Sequence, residues 1–517
     1  MSTGILDDDE LLRSTRLTPP LHNSSAPRDG EPSNVEELRK WQEARLERRL
    51  RGEYESQVRK LVEVVSGNLG QPSRITAIRV EGAPNTRASF LAGIIEPHIQ
   101  SGVSRSANAT APPKTSLAEV LETTRRISSL LQETQVFKSV HTTIERSGFP
   151  FADDNDVEVV YRCKERGKWF LKTSTDIGNQ EGSASATGRI VNAFGGAETV
   201  EGNLAFGTKT RRAFQLSLEA PLLALDRSLR TRGEISAFGM QRDNTSFASS
   251  VQEVNGIKVA FRTPLRDSSH EFAYEATSRH IGSLTDTASQ SIREAAGHSV
   301  KSALSHTVVY DTRDDNMTAT KGVYSKIFSE IAGLGGDVSH LKNESTLQMS
   351  RQLGNGLSAS VSSGFGMLYP IDLFASRPAG SQSMFSDRFQ LGGPLSIRMF
   401  KQNGLGVRDG PDSLGGDMYW SAGLSVISDI PKKPAWPIKF HAFVNAGRLD
   451  PLDRSKPIDL VASIRQSLTQ PSISAGVGLI YRFDPIRVEV NFGVPLVTNQ
   501  SDMGRKGFQV GMGLEFL

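Results

Sequence analysis

The chain has 517 residues, a formal charge of only +3, 7% aromatic residues, 47 glycines and one cysteine. The near-neutral charge excludes a polybasic nucleic-acid binder, and the lone Cys163 excludes both an internal disulfide framework and a multi-thiolate zinc site. No run of about 18 apolar residues occurs, which excludes a transmembrane helix but not a membrane-spanning barrel, whose alternating pattern averages to low hydropathy.

Residues 1–32 are rich in Pro, Ser and Asp and read as a mobile tail. Asp7, Asp8, Asp9 and Glu10 fit neither a secretory signal nor an acid-poor presequence, so cytosolic synthesis with the N-terminus retained is expected. Residues 33–72 hold an amphipathic helix: Ser33 and Glu36 have capping-box spacing, and Leu46, Leu50, Tyr54, Val58 and Leu61 recur at helical intervals. A solvated spacer is the simplest reading of this helix; a partner-binding helix is the other.

Residues 73–166 read as a small α+β unit in the order β-α-α-β-β. A strand through Ile78 and Val80 exits sharply at Gly82. One helix carries Phe90, Leu91, Ile94 and Ile95 on one side, and a second opens with Ser116 and Glu119 as a capping box. Two strands follow, through Val140–Ile144 and Val157–Cys163.

From Lys168 onward the helical period gives way to alternation. In "FQLSLEAPL", Phe214, Leu216, Leu218 and Ala220 share one face while Gln215, Ser217 and Glu219 share the other. About sixteen such segments recur, the first near 168–178 and the last near 506–516. The segments lack blade-length self-similarity, and the residues opposite each apolar face are often charged or Gly. Those two features disfavour a soluble propeller or sandwich. A polar interior needs water inside and an apolar exterior needs lipid outside. The fold class is therefore mainly β, a 16-stranded antiparallel transmembrane β-barrel at 168–517 preceded by one α+β unit.

No G-x-S-x-G, H-E-x-x-H or G-x-x-x-x-G-K-[ST] signature is present, and nine scattered histidines lack ligand spacing, so no enzyme activity, cofactor or metal is expected. The glycine pairs 364/366, 476/478 and 511/513 lie inside predicted strands, where they let neighbouring groups approach; only 404/406 lies in a loop. That loop, about 369–415, is too long for a passive connection. At its centre a lone Arg398 sits among Ile397, Met399 and Phe400, after Gly392 and Gly393. This predicts a segment folded into the lumen, where the guanidinium meets a carboxylate. In "IRVEVNFGVPL" the alternation turns Arg487, Glu489 and Asn491 inward, which makes Glu489 the first candidate partner and Asn445 a neutral neighbour.

"LGGPLSIRMF" resembles the sixth-loop motif of the outer-membrane β-barrel assembly (Bam/Sam/Toc) superfamily. "YDTRDDNMTATKG" is similar to the family's strand-end motif through Asp311, Arg313 and Asp314, and "FVNAG" and "SAGVGLIYRFDPIRVEVNFGVPL" to its late strands. The α+β unit resembles a single POTRA domain, and "QVGMGLEFL", with Gln509, Gly511, Met512, Leu514 and Phe516, resembles the family's β-signal. One POTRA unit without a secretory signal resembles the mitochondrial branch, the core subunits of the sorting and assembly machinery (SAM complex). The resemblance implies insertion of β-barrel precursors, offered by their C-terminal strand, through a lateral gate between the first and last strands. It further implies a mitochondrial outer-membrane location, a POTRA domain in the intermembrane space, and other SAM subunits as partners. A protein-translocation pore of a chloroplast or bacterial-type outer membrane, or a passive solute channel, is the alternative. Met399 stands where the family usually has Gly, which puts a positive-φ turn there in doubt; Ala319 stands where a Pro is common.

Overall fold

The computed structural model describes residues 39–40, 43, 62–100, 115–150, 152–153, 155–178, 181–223, 225, 229–354, 356–371, 383–433, 436–452, 460–483 and 486–513. The tail and most of the amphipathic segment lie outside these; Arg39, Lys40, Glu43 and 62–68 are helical.

The α+β region runs β1 Pro72–Glu81, α1 Ala88–Gln100, β2 Thr115–Ser116, α2 Leu117–Glu133, β3 Phe137–Arg146 and β4 Asp156–Glu165. Its sheet has the order β2-β1-β4-β3, so the sequence reading omitted only the two-residue β2. The Ser116 hydroxyl accepts from the Glu119 amide at 3.3 Å, which fixes where α2 starts. Val120, Ile127 and Leu131 on α2 are buried, as are Val159 and Tyr161 on β4, and the Tyr161 hydroxyl donates to the Thr124 carbonyl at 3.2 Å. Cys163 is also buried, and burial pushes its thiol up to about 11. At the other end of this sheet Arg74 grips Asp156 with two hydrogen bonds, at 2.8 and 2.6 Å.

Residues 169–513 build a 16-stranded antiparallel sheet. It opens with β5 Trp169–Gly178, β6 Glu181–Val191, β7 Thr199–Gly207, β8 Thr210–Pro221, β9 Arg232–Asp243, β10 Val251–Leu265, β11 Ser268–Gly282 and β12 Gly297–Asp311. It continues with β13 Gly322–Gly336, β14 His340–Gly354 and β15 Leu357–Pro370. After a small hairpin, β16 Val407–Asp409 and β17 Asp412–Gly415, come β18 Met418–Asp429, β19 Ile438–Asp450, β20 Ser472–Phe483, β21 Ile486–Val497 and β22 Gly507–Gly513. Strands pair in chain order, with β15 paired to β18 across the long loop, and β5 and β22 end the hydrogen-bonded order. Cα atoms of β5 and β22 come within 8 Å of each other, yet among the described residues no ladder register joins them.

The pleat sorts the side chains inside-out. Phe214, Leu216, Ile235, Ile257, Val477, Phe492 and Phe508 are each more than half exposed, as an outer face in lipid requires. Inward positions carry ion pairs instead: Lys258 with Glu271 at 2.6 Å, Arg262 with Glu234 at 2.7 Å, and Lys301 with Glu330 at 2.8 Å. No described helix is long and apolar enough to cross a membrane. Strand ends differ from the sequence reading by up to about four residues, the spread ordinary for strand ends read from a sequence.

Candidate functional site in the barrel lumen

The long loop enters the lumen and carries its own dry core. Phe389, Leu391, Ile397, Phe400 and Leu405 cluster with Leu368, Tyr419 and Leu449 from the wall, all buried. Gly392 and Gly393, at φ +104 and +120, make the reversal that brings Asn403 back to donate to the Gly392 carbonyl at 3.1 Å. The segment 391–405 closes on itself through the Leu391–Leu405 bridge.

Arg398 is fully buried beneath this cluster and reaches the wall. Its Nε donates to Glu489 Oε2 at 2.9 Å and its Nη2 to Oε1 at 3.2 Å, the bidentate geometry a planar guanidinium favours. Nη1 donates to Asn445 Oδ1 at 3.4 Å, and the guanidinium lies 5.1 Å from the Phe443 ring centre. Burying a charge this deeply is costly unless it is paired and hydrogen-bonded. Glu489 meets that demand while also accepting from Asn491 Nδ2 at 2.9 Å and from Arg487. His441 completes the group, 2.6 Å from Asn491 Oδ1. Arg487, Glu489 and Asn491 share one face of β21 through the two-residue pleat, and Asn445 and His441 share one face of β19.

Ile397 and Met399 flank the arginine and point at strand glycines. A Cβ on Gly447 would lie 2.3 Å from Ile397 Cδ1, and one on Gly493 2.8 Å from Met399 Sδ. The glycine of "FVNAG" therefore makes room for the loop. Met399 itself has φ +65 and is completely buried. The doubt raised by its side chain is thus corrected: the left-handed turn persists without glycine. Strain of about 1–2 kcal/mol is offset by burial of the thioether and by two backbone bonds. One runs from the Met399 N–H to Gln509 Oε1 at 2.9 Å, and the other from the Arg505 N–H to the Met399 carbonyl at 2.9 Å.

Of the β-signal residues, Gln509, Gly511 and Met512 lie on β22, with Gln509 buried opposite Asn491 and Gly511 opposite Glu489. Leu514 and Phe516 lie outside the described residues. The strand-end residues sit elsewhere. Arg313 pairs with Asp311 at 2.7 Å and lies 4.2 Å over the Tyr324 ring, while Asp314 accepts from the Thr320 and Lys321 amides at 2.9 and 3.1 Å. This turn still reaches the loop arginine indirectly, because the Met317 carbonyl accepts from Arg487 Nη1 at 2.7 Å. Ala319 is buried within it.

A second fastening escaped the sequence reading. Asp387, in a one-turn 3-10 helix Phe385–Asp387, accepts from Arg279 of β11 at 2.8 Å, and its carbonyl accepts from Lys342 Nζ at 3.0 Å. Asp387, Glu330 and His340 lie together at metal-ligand spacing. Arg279 and Lys301 already neutralise both carboxylates and Lys342 adds a third cation, so the group is an ion network that would repel a metal. Farther along, Asp412 and Asp409 accept from the Ser289 and Ser291 amides at 2.8 and 3.1 Å, beside the short helix α3 Gln290–Ala295. A local "SDR" in a loop gives no hint of a partner more than a hundred residues away.

Residues 192–516 match the Omp85 superfamily domain. A SAM50-like protein of Schizosaccharomyces pombe is 34% identical over 471 residues, covering 90% of this chain and 95% of the relative. The sorting and assembly machinery component 50 homolog of Homo sapiens is 31% identical over 411 residues, covering 78% and 84%. Among solved structures, BamA from Haemophilus ducreyi lacking POTRA domains 1–3 superposes with a TM-score of 0.67 at 17% identity, over 85% of each chain. The lipid-facing sheet, the inward loop bound to its wall and these likenesses agree: the chain belongs to the Omp85 superfamily and, within it, to the SAM50 group of sorting and assembly machinery components.

Proposed function

We propose that this chain inserts and folds β-barrel precursor proteins into the mitochondrial outer membrane, through a lateral gate between β5 and β22. The observation that carries the reading is the unequal edges of the sheet. Neighbouring strands of the 16-stranded sheet are joined by antiparallel ladders, as β10 and β11 are over fifteen residue pairs from Val251–Gly282 to Leu265–Ser268. The two terminal strands only approach each other. β5 carries Thr173, Ser174 and Thr175 along its length, side chains with little apolar area to hold an edge shut.

An open edge in hydrocarbon has backbone groups that cost several kcal/mol each if unpaired, so it accepts an extended strand by β-augmentation. That gain, with burial of the client's apolar belt in lipid, drives insertion, and no cofactor or covalent chemistry is called on. The loop fastened inside the lumen favours this route over a passive solute channel or passage of a chain along the axis. The α+β region would serve as a POTRA domain in the intermembrane space, receiving clients together with other SAM subunits.

A disulfide across the seam, from Thr173→Cys with Val510→Cys, tests the gate. Oxidation is expected to stop client insertion and reduction to restore it. Insertion at full rate with the bridge closed overturns the reading.

A further inference from the structure

The sheet brings together two histidines that stand 36 residues apart in the chain, which is why their spacing in sequence shows nothing. His270, the third residue of β11, shares its face with Phe272 and Tyr274, 49% and 41% exposed. His306 of β12 stands directly opposite Phe272, so both imidazoles lie on the lipid-facing side. Their rings meet edge to edge, with His270 Nδ1 3.3 Å from His306 Nε2 and the planes 19° apart.

Neighbouring hydrogen bonds settle which nitrogen of His270 is free. The Ser268 hydroxyl donates its one proton to the Leu265 carbonyl at 2.9 Å. The same oxygen lies 3.1 Å from His270 Nε2 and therefore accepts there. Neutral His270 thus carries its proton on Nε2, and its Nδ1 lone pair points at His306. A metal-binding histidine donates its other ring N–H to an oxygen in this way. Phe272, stacked on His306 at 4.2 Å and 5°, holds that ring in place. With its own proton on Nδ1, His306 turns a second lone pair to the same point. At a zinc–nitrogen length of about 2.05 Å, two ligands of a tetrahedral ion lie about 3.3 Å apart, and the two nitrogens already have that separation.

Depth and contrast narrow the reading. β11 and β12 have fifteen residues each, where about 9–11 cross the hydrocarbon, so His270 lies in the headgroup zone, within reach of water and ions. The other outer pair, His280 and His298, are direct partners toward the opposite end of the same strands, but their rings stack face to face with centroids 4.1 Å apart. Lone pairs in stacked planes run side by side and do not converge.

We propose that His270 Nδ1 and His306 Nε2 form a binding site for a divalent transition ion of the zinc and copper class, on the outer wall about midway along the sheet from the seam. Imidazole nitrogens select such an ion over magnesium or calcium, which take oxygen ligands. Its other positions face the headgroup zone and take water. Once bound, the ion cross-links β11 to β12 outside their ladder and stiffens a wall remote from the gate. The site is independent of the lateral-gate reading.

The test uses the full chain without an affinity tag in detergent micelles. Substoichiometric copper(II) should give a spin-echo spectrum with two coordinated imidazoles. His270→Gln or His306→Gln should leave at most one and weaken binding about 100-fold, the gain that a second linked donor supplies. Ser268→Ala, which releases the tautomer, should weaken binding about tenfold, and the double variant His280→Gln with His298→Gln should change nothing. A second measurement needs no variant: zinc should block carbethoxylation of His270 and His306, read by mass spectrometry, and leave His280 and His298 as reactive as before. A one-imidazole spectrum in the unaltered chain overturns the site, as does equal modification of His270 and His306 with and without zinc.

Discussion

On the β21 wall one carboxylate serves two guanidiniums, whereas on the β11 wall one carboxylate serves one. Glu489 binds Arg398 and Arg487 and takes an amide from Asn491, all in a group closed to solvent. Asp387 binds Arg279 through one oxygen, while the neighbouring Lys301 and His340 both turn to Glu330. The first fastening is a hub, whereas in the second the loop's Asp387–Arg279 pair shares no carboxylate with the Glu330 group. A hub fails all at once when its centre is removed and only partly when a spoke is, so the two walls differ in how they distribute the loop's attachment. The wall nearest the seam has the all-or-none version.

The largest effect should follow Glu489→Ala, which strands two buried guanidiniums. Removing one partner of a buried pair costs about 3–5 kcal/mol, and here two are left at once. The chain is expected to lose its folded barrel, read as lost protection from protease in detergent. Arg398→Ala leaves Glu489 still bound by Arg487 and Asn491, so a folded barrel should survive with client insertion reduced several-fold. Equal loss in the two variants would sink the hub.

Asp387→Asn comes next. It keeps the shape of the side chain and removes the charge opposite Arg279, with an expected cost of about 1–3 kcal/mol. Asp387→Leu with Arg279→Met, which replaces both partners by apolar groups, should recover most of it in urea unfolding. The same two-sided replacement at Glu489 and Arg398 should not recover, because Arg487 remains uncompensated. Recovery at both walls would erase the distinction between them.

These fastenings also differ in how far they could be read from residues alone. Glu489 was legible because the alternation in "IRVEVNF" fixes its face, and Arg398 because a lone arginine inside an apolar tetrad needs a counter-charge. Asp387 sits beside Arg388, and Arg279 is one of many inward arginines; their meeting depends on how a loop crosses the lumen, for which the chain has no period. The sixteen strands were legible through the same two-residue rhythm, while β2 is too short to show any. Met399 misled for a different reason. Its left-handed φ is intrinsically unfavourable, and the burial, Gln509 and Gly493 that support it are supplied by strands about a hundred residues away.

The smallest effect concerns the turn that supports the hub from behind. Arg487 donates to the Met317 carbonyl, and that turn is shaped by two carboxylates. Asp314 accepts from the Thr320 and Lys321 amides, and Asp315 from the Met317 and Thr318 amides at 2.7 and 2.9 Å, with Arg482 alongside. Burial works to raise both acids, but these hydrogen bonds, and for Asp315 the Arg482 charge, outweigh it and hold both below the ordinary aspartate value of 3.8. Groups with depressed folded-state values contribute fully above their unfolded value and stop contributing as pH falls through the folded one. The turn should therefore be intact down to about pH 4 and loosen only below it. Hydrogen exchange at the Met317, Thr318, Thr320 and Lys321 amides, corrected for intrinsic rates, should show protection lost in that window. Asp314→Asn with Asp315→Asn should reproduce the loss at neutral pH, with only a slight weakening of the Glu489 hub because its own bonds stay within the lumen. A collapse of the hub as deep as that of Glu489→Ala would mean the turn carries the load assigned to the carboxylate.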